Sequence, residues 1–217
     1  FEEERELTVM LLVDVSGSRN FGTLSQMKRD MMAEVAATLA FSTIANNDKV
    51  GVIFFSNQIE KFIPAKKGKT HVLHIIRELL SYEPNSTGTD MALALQYFAN
   101  AQKRHCTAFI ISDFIGLGDI YKPLLIASNR HEINAIQIYD HREAELPNIG
   151  LVKFHDAETN NDLWIDTSIA SIRNDYAQTW LNNQNNLRQL FTRTGIKNVS
   201  IRTDDDYVKA LMHLFKC

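Results

Sequence analysis

Leu7-Thr8-Val9-Met10-Leu11-Leu12-Val13-Asp14-Val15-Ser16-Gly17-Ser18 is the stretch that decides the fold. It is apolar and β-branched, carries no charge before Asp14 and is too short to cross a bilayer, so it reads as a strand buried on both faces. A small polar turn follows. Asp14, Ser16 and Ser18 stand at alternate positions just past the strand end, where open α/β sheets place their ligands. Three small oxygen donors at that point suit a hard cation such as magnesium or manganese. The same residues could also make a plain Asx- or Ser-capped turn.

Two later segments bear on that choice. Ser86-Thr87-Gly88-Thr89-Asp90 introduces a helix, and Phe109-Ile110-Ile111-Ser112-Asp113 ends a second buried strand with a carboxylate. A strand-end Asp, a hydroxyl in a Gly-containing loop and a second strand-end Asp form one constellation if the two strands are neighbours in a parallel sheet.

Outward from these motifs the chain alternates strands and helices. Leu24, Met27, Met31, Val35 and Leu39, widened by Met32, Ala36 and Ala40, predict a long amphipathic helix whose methionines belong to the core. Val50 to Phe55 reads as a buried strand, and Gln58 to Pro64 as an antiparallel edge strand. Val72, Ile75, Ile76, Leu79 and Leu80 give a second helix, Met91 to Ala101 a third, and Asp119 to Asn129 a fourth. Thr107 to Ile111 and Ile133 to Tyr139 are the intervening strands. This order calls for a parallel sheet covered on both faces.

Past Asp140 the rhythm changes. Leu151 to His155 and Leu163 to Asp166 flank Asp156-Ala157-Glu158-Thr159-Asn160-Asn161, a β-hairpin inserted over about 141–167. That turn lacks the acidic spacing and terminal Glu of a calcium loop. A long polar helix with Ile172, Tyr176, Trp180, Leu187 and Phe191 follows, then a strand around Val199 to Ile201 and a last helix capped by Asp204-Asp205-Asp206. Trp164 and Trp180 are expected in the core or packed on the hairpin. Arg142 and Glu143 are read as a solvated ion pair rather than a partner patch. With no linker composition, residues 1–217 are expected to form one domain.

Composition narrows the function. The 23 basic and 26 acidic residues leave a net charge of -3, which argues against a protein that lives on nucleic-acid backbones. Lys66, Lys67 and Lys69 read as a solvated turn. No apolar run spans a bilayer and no signal peptide precedes the first strand. Cys106 and Cys217 are the only cysteines, one at the start of a buried strand and one terminal, which favours a reducing, cytoplasmic setting over a disulfide. The histidines lack zinc-ligand spacing, His71 and His74 included. A start at Phe1 followed by a charged run suggests a fragment lacking an N-terminal segment.

The constellation resembles the metal-ion-dependent adhesion site of von Willebrand factor type A domains: Asp-x-Ser-x-Ser at Asp14, Ser16 and Ser18, then a Gly-Thr loop, then a Ser-Asp pair at Ser112 and Asp113. Gly88-Thr89 followed by a helix matches the family better than Thr87. The resemblance implies a Rossmann-like α/β fold and a cation, Mg2+ with Mn2+ or Ca2+ as substitutes. By the same resemblance, Ser16, Ser18 and Thr89 are expected to touch it directly, while Asp14 and Asp113 are expected to act mainly through water. Neutral direct ligands leave the cation much of its charge and an open position, which suits an acidic side chain supplied by another protein.

The second half is similar to the bacterial domain of unknown function fifty-eight, on Asp140, Arg142-Glu143, Leu146-Pro147, Gly150, Asp156-x-Glu158-Thr159 and the Glu-Glu-Glu-Arg-Glu-Leu-Thr before the first strand. His141 stands where that family often has proline. The resemblance implies a metal-dependent protein-interaction module acting with a MoxR-type AAA+ ATPase. The alternative is a magnesium-dependent phosphohydrolase of the haloacid-dehalogenase type, with Asp14 as nucleophile. Such enzymes want a carboxylate two residues on as general acid, and that position is Ser16. No acid-base or nucleophile pair surrounds the constellation, so binding is expected rather than catalysis.

Overall fold

The computed structural model describes residues 6–20, 22, 26–86, 88–155 and 162–216. Its centre is β1 (Thr8–Asp14), flanked in parallel by β2 (Lys49–Phe55) and β4 (Thr107–Ser112). Outside β4 lie β5 (Glu132–Tyr139) and β8 (Lys197–Arg202), also parallel; outside β2 lies β3 (Ile59–Lys66), antiparallel. The strand order is therefore β3-β2-β1-β4-β5-β8. This is the open, mainly parallel sheet with one antiparallel edge that the sequence predicts, and Pro64 sits in the edge strand, where a missing N–H does least harm.

Side chains alternate along each strand, so β1 feeds two cores. Leu11 and Val13 pack with α1 (Lys28–Ala45), α2 (Lys69–Ser81) and α7 (Tyr207–Lys216) on one face. Met10 and Leu12 pack with α3 (Met91–Ala101), α4 (Tyr121–Ser128) and α6 (Ala170–Thr194) on the other. Leu11, Leu12, Val52, Ile53, Ile110 and Ile111 are essentially excluded from water, each stabilising by roughly 1.5–3 kcal/mol. Gly51 is required where β2 bulges against β3: a Cβ there would lie 2.8 Å from both Ile63 O and Ala65 N.

Between β5 and α6 the chain forms α5 (His141–Ala144) and a separate antiparallel hairpin, β6 (Leu151–His155) with β7 (Asp162–Asp166). Asp140 and Glu143 make a reciprocal capping box that opens α5.

Several expectations need correction. Leu24 and Thr87 lie outside the described residues, as do the Asp156 to Asn161 turn and the N-terminal charged run. Met27 precedes α1 and is 45% exposed, because the buried stripe begins at Lys28 and continues through Met31, Met32, Val35 and Leu39. Leu80 is 68% exposed; only Val72, Ile75 and Leu79 of α2 are buried. Trp164, opposite Lys153 in the hairpin, is 61% exposed and so is not a core residue. Trp180 does pack, with its ring 5.2 Å from Tyr139. Arg142 and Glu143 are not a solvated pair: Glu143 turns inward to Lys28.

Candidate metal centre

Parallel pairing sets the geometry. Val13 lies level with Ile111, so Asp14 and Asp113 leave adjacent strands at the same carboxyl edge. Asp14 is 2% exposed, and both carboxylate oxygens are engaged: Ser16 N–H donates to Oδ1 at 3.0 Å and the Ser112 hydroxyl to Oδ2 at 2.7 Å. The Asp14 carboxylate thereby fixes the turn that carries the serines. Ser16 Oγ and Ser18 Oγ sit 3.1 Å apart, the first buried and the second half-buried at the start of a short 3-10 turn, Gly17–Asn20.

Asp113 is as buried as Asp14. Its Oδ1 accepts Ile115 N–H at 3.1 Å and its Oδ2 accepts Lys28 Nζ at 2.7 Å. Between Asp113 and Ile115 the chain turns at Phe114 with φ 56, a left-handed conformation that an aromatic residue adopts at a cost. The Phe114 ring locks edge-on against Phe191 of α6 at 5.4 Å, and Gln137 Nε2 donates to Asp113 O at 3.1 Å.

The electrostatics are unusual. Burial pushes the Asp14 carboxyl up to about 6, and the Asp113 charge pushes in the same direction against the hydrogen bonds of Ser16 and Ser112. Lys28 Nζ also meets Glu143 Oε1 at 2.5 Å. Burial alone would lower the Lys28 value, yet Asp113 and Glu143 raise it, so it stays an ammonium. Burial raises Glu143, opposed by Lys28. Two carboxylates, Asp113 and Glu143, thus share the Lys28 ammonium, while Asp14 is held by hydroxyl and backbone donors. The buried Arg19 guanidinium next to Ser18 is directed elsewhere, donating from Nη2 to Tyr82 O at 2.8 Å.

Thr89 belongs to the loop before α3. Asp90 N–H donates to Ser56 O at 2.9 Å, just past β2, and the Asp90 side chain caps α3 through Leu93 N at 2.9 Å. Val15 N–H in turn donates to Phe55 O at 2.8 Å. The half-buried Thr89 therefore stands at the same sheet edge, one strand over from Asp14. Glu60 of β3 holds this loop. Its Oε1 accepts Ser56 Oγ at 2.6 Å and Ser86 N at 3.2 Å, and its Oε2 accepts Asn85 N at 3.1 Å. Burial would raise the Glu60 value, but these donors outweigh it and hold the carboxyl at about 2.

Of the five expected residues, direct hydrogen bonds join Asp14 to Ser16 and Ser16 to Ser18. Asp113 is tied in through its neighbour Ser112 and through its field on Asp14. Thr89 is placed by its loop. Sequence reasoning missed Lys28, Glu143 and Glu60. Lys28 did leave a signal, since it falls on the same helical stripe as Met31, Met32 and Val35. Glu143 is singled out in the sequence only as half of an ion pair with Arg142 and as part of the family resemblance, and Glu60 left no signal. Two hydroxyls converging in front of two mutually repelling carboxylates fit a hard divalent cation by donor type and by charge. Among the described residues no three His, Cys, Asp or Glu side chains gather as a metal cluster.

Solved structures share this architecture. BatB from Bacteroides thetaiotaomicron superposes with a TM-score of 0.64 at 15% identity over 97% of each chain. An aerotolerance-related membrane protein from Bacteroides fragilis gives 0.61 at 17% identity, covering 97% of this chain and 100% of that one. The SpRpn10 VWA domain gives 0.50 at 13% identity, covering 97% and 94%. The fold is therefore von Willebrand A-like and Rossmann-like. In sequence, uncharacterized protein Mb1516 of Mycobacterium bovis is 30% identical over 209 residues, 94% of this chain. The chain spans 65% of that relative's length. Uncharacterized protein MAV169 of Mycobacterium avium is 30% identical over 158 residues, 71% of this chain and 92% of the relative. The model of one family matches residues 1–186, and the chain accordingly belongs to that family, described as protein of unknown function DUF58.

Proposed function

We propose that the chain is a metal-dependent protein-interaction module. Ser16, Ser18 and Thr89 would hold a divalent cation, magnesium in the cell, with Asp14 and Asp113 behind them. When bound, the cation supplies positive charge to an anionic oxygen from outside. The chain's own residues do the rest: Asp14 orients the serine turn, Lys28 steadies Asp113, and Glu60 fixes the threonine loop.

The observation that carries this reading is the 3.1 Å approach of the Ser16 and Ser18 hydroxyls in front of two buried, mutually repelling carboxylates. Neutral hydroxyl ligands leave the cation short of negative charge, so an acidic side chain of a partner protein is the natural sixth ligand. By the family resemblance the partner is a MoxR-type AAA+ ATPase, for which the module acts as adaptor or assembly factor. Cys106, buried as a free thiol, accords with a cytoplasmic setting. Among the described residues no helix is long and apolar enough to cross a membrane.

The test is binding of a MoxR-type ATPase from the same genome to the immobilised protein in magnesium and in EDTA. The reading expects binding in magnesium only, lost in Ser16→Ala. Equal binding in EDTA, or in Asp14→Ala, would take the metal out of the mechanism. Magnesium-dependent phosphatase turnover abolished by Asp14→Asn would replace the reading with the enzymatic one.

A further inference from the structure

The carboxyl edge does not end at the serine turn. A cleft of about 1140 Å3 runs from Gly17 and Ser18 between the loop that follows Asp113 and the inner side of α6. Its floor is apolar, built from Phe114 and Ile120 on one side and from Trp180, Leu187 and Leu190 on the other. We infer that this cleft takes an extended segment of a partner protein in which a bulky apolar residue lies close to the acidic residue that reaches the serine turn. The inference rests on the metal-dependent reading and adds to it the sequence character of the partner.

Continuity with the candidate centre is the first argument. The strained Phe114 turn is at once the step after Asp113 and the floor of the cleft, its ring fixed on Phe191. The opposite wall is tied back as well: Tyr176 OH donates to Arg142 O at 3.1 Å, beside the Glu143 that shares Lys28 with Asp113. One ligand therefore meets both features on a single surface.

The chemistry of the walls selects the occupant. α6 presents Asn183, Gln184 and Asn186 to the cleft, and the opposing loop presents Gly116 and Gly118. Carboxamides and bare glycine backbone hydrogen-bond to peptide groups and do not select charge. The cleft exceeds the roughly 300–1,000 Å3 of ordinary small-molecule sites, which suits several residues of chain. Among the described lining residues the charged ones are Glu143, paired with Lys28, and the exposed Asp119, whose Oδ1 accepts Tyr121 N–H at 3.1 Å.

The helix itself gives an independent sign. Leu181-Asn182-Asn183-Gln184-Asn185-Asn186-Leu187 places four asparagines in the middle of a 25-residue helix. Asparagine is a weak helix former, costing about half a kcal/mol or more each against alanine. Asn182 accepts Gln178 Nε2 within the helix at 3.1 Å, whereas Asn183 and Asn186, with Gln184, line the cleft, where their carboxamides can meet a peptide backbone.

A phage-displayed library of random dodecapeptides, panned on the full chain in magnesium, tests the inference. The enriched consensus is expected to place Asp or Glu within a few residues of Leu, Phe or Trp. The synthetic consensus peptide should bind about tenfold more weakly to Leu187→Arg, as for loss of a central anchor. The exposed Asn183→Arg should weaken it similarly without risk to folding. In both variants magnesium should still raise the unfolding temperature as in the parent. No consensus, or an acidic consensus indifferent to both variants, overturns the inference. If Ser16→Ala abolishes binding while both cleft variants bind normally, the metal reading stands and the cleft falls. If the peptide binds through the cleft equally in EDTA, the cleft stands and the metal reading falls.

Discussion

Lys28 is the residue on which the candidate centre's charge turns. Replacing it with methionine leaves the Asp113 and Glu143 carboxylates facing each other in a buried site, and removing one partner of such a pair costs about 3–5 kcal/mol. Urea unfolding of Lys28→Met should show a loss of that size, and adding Glu143→Gln should restore part of it; an unchanged midpoint would mean the ammonium does no such work. Glu60 makes a pH prediction. Its folded value, about 2, lies below the ordinary 4.5, so its contribution is present above the ordinary value and disappears as pH falls toward 2. Discounted for partial exposure, that is about 1–2 kcal/mol at neutral pH. Glu60→Gln should be less stable by that amount at neutral pH, with the gap closing between about pH 5 and pH 2 in thermal melts. The motif residues were legible because hydroxyl and carboxylate chemistry at fixed spacing survives in the sequence. The pairing of Lys28 with Asp113 and Glu143 was not, because those contacts join positions 85 and 115 residues apart.

Among the elements, periodicity identified the strands and helices well and located their ends less well. The stripe of α1 is legible from Met31 to Leu39, yet Met27 stands before the helix rather than in it, since apolar character alone does not say where the sheet stops covering a helix. Leu80 failed for the same reason at the far end of α2. The hairpin was read with its strands nearly in place, while the burial of Trp164 was not, because alternation assigns a face and cannot say whether anything covers it. Two substitutions follow. Trp164→Ser should change folding stability by less than about 0.5 kcal/mol, as for any exposed position. Gly51→Ala should cost about 1–3 kcal/mol, because its methyl has only the β3 backbone and Met10 Sδ to meet at the bulge. Both are read from chemical unfolding, and a severe loss in the first or none in the second would contradict the packing described.

At the scale of the molecule, the parallel order β2-β1-β4 is what makes a site possible: three adjacent strands deliver Asp14, the Thr89 loop and Asp113 to one edge. A parallel sheet covered on both faces followed from alternating strands and helices together with buried strand sequences, whereas the adjacency of β1 and β4 entered the sequence reading only as a condition. The cleft beside α6 did not follow, since it depends on how a polar helix stands off the sheet, which no periodicity records. The central claim is that the Ser16 and Ser18 hydroxyls receive a divalent cation. The most direct measurement is a crystal soaked in manganese, with anomalous scattering used to place the ion. The account predicts one strong peak within bonding distance of Ser16 Oγ and Ser18 Oγ, and Thr89 turned toward it. No peak at the serine turn, or a peak held elsewhere on the chain, would contradict it.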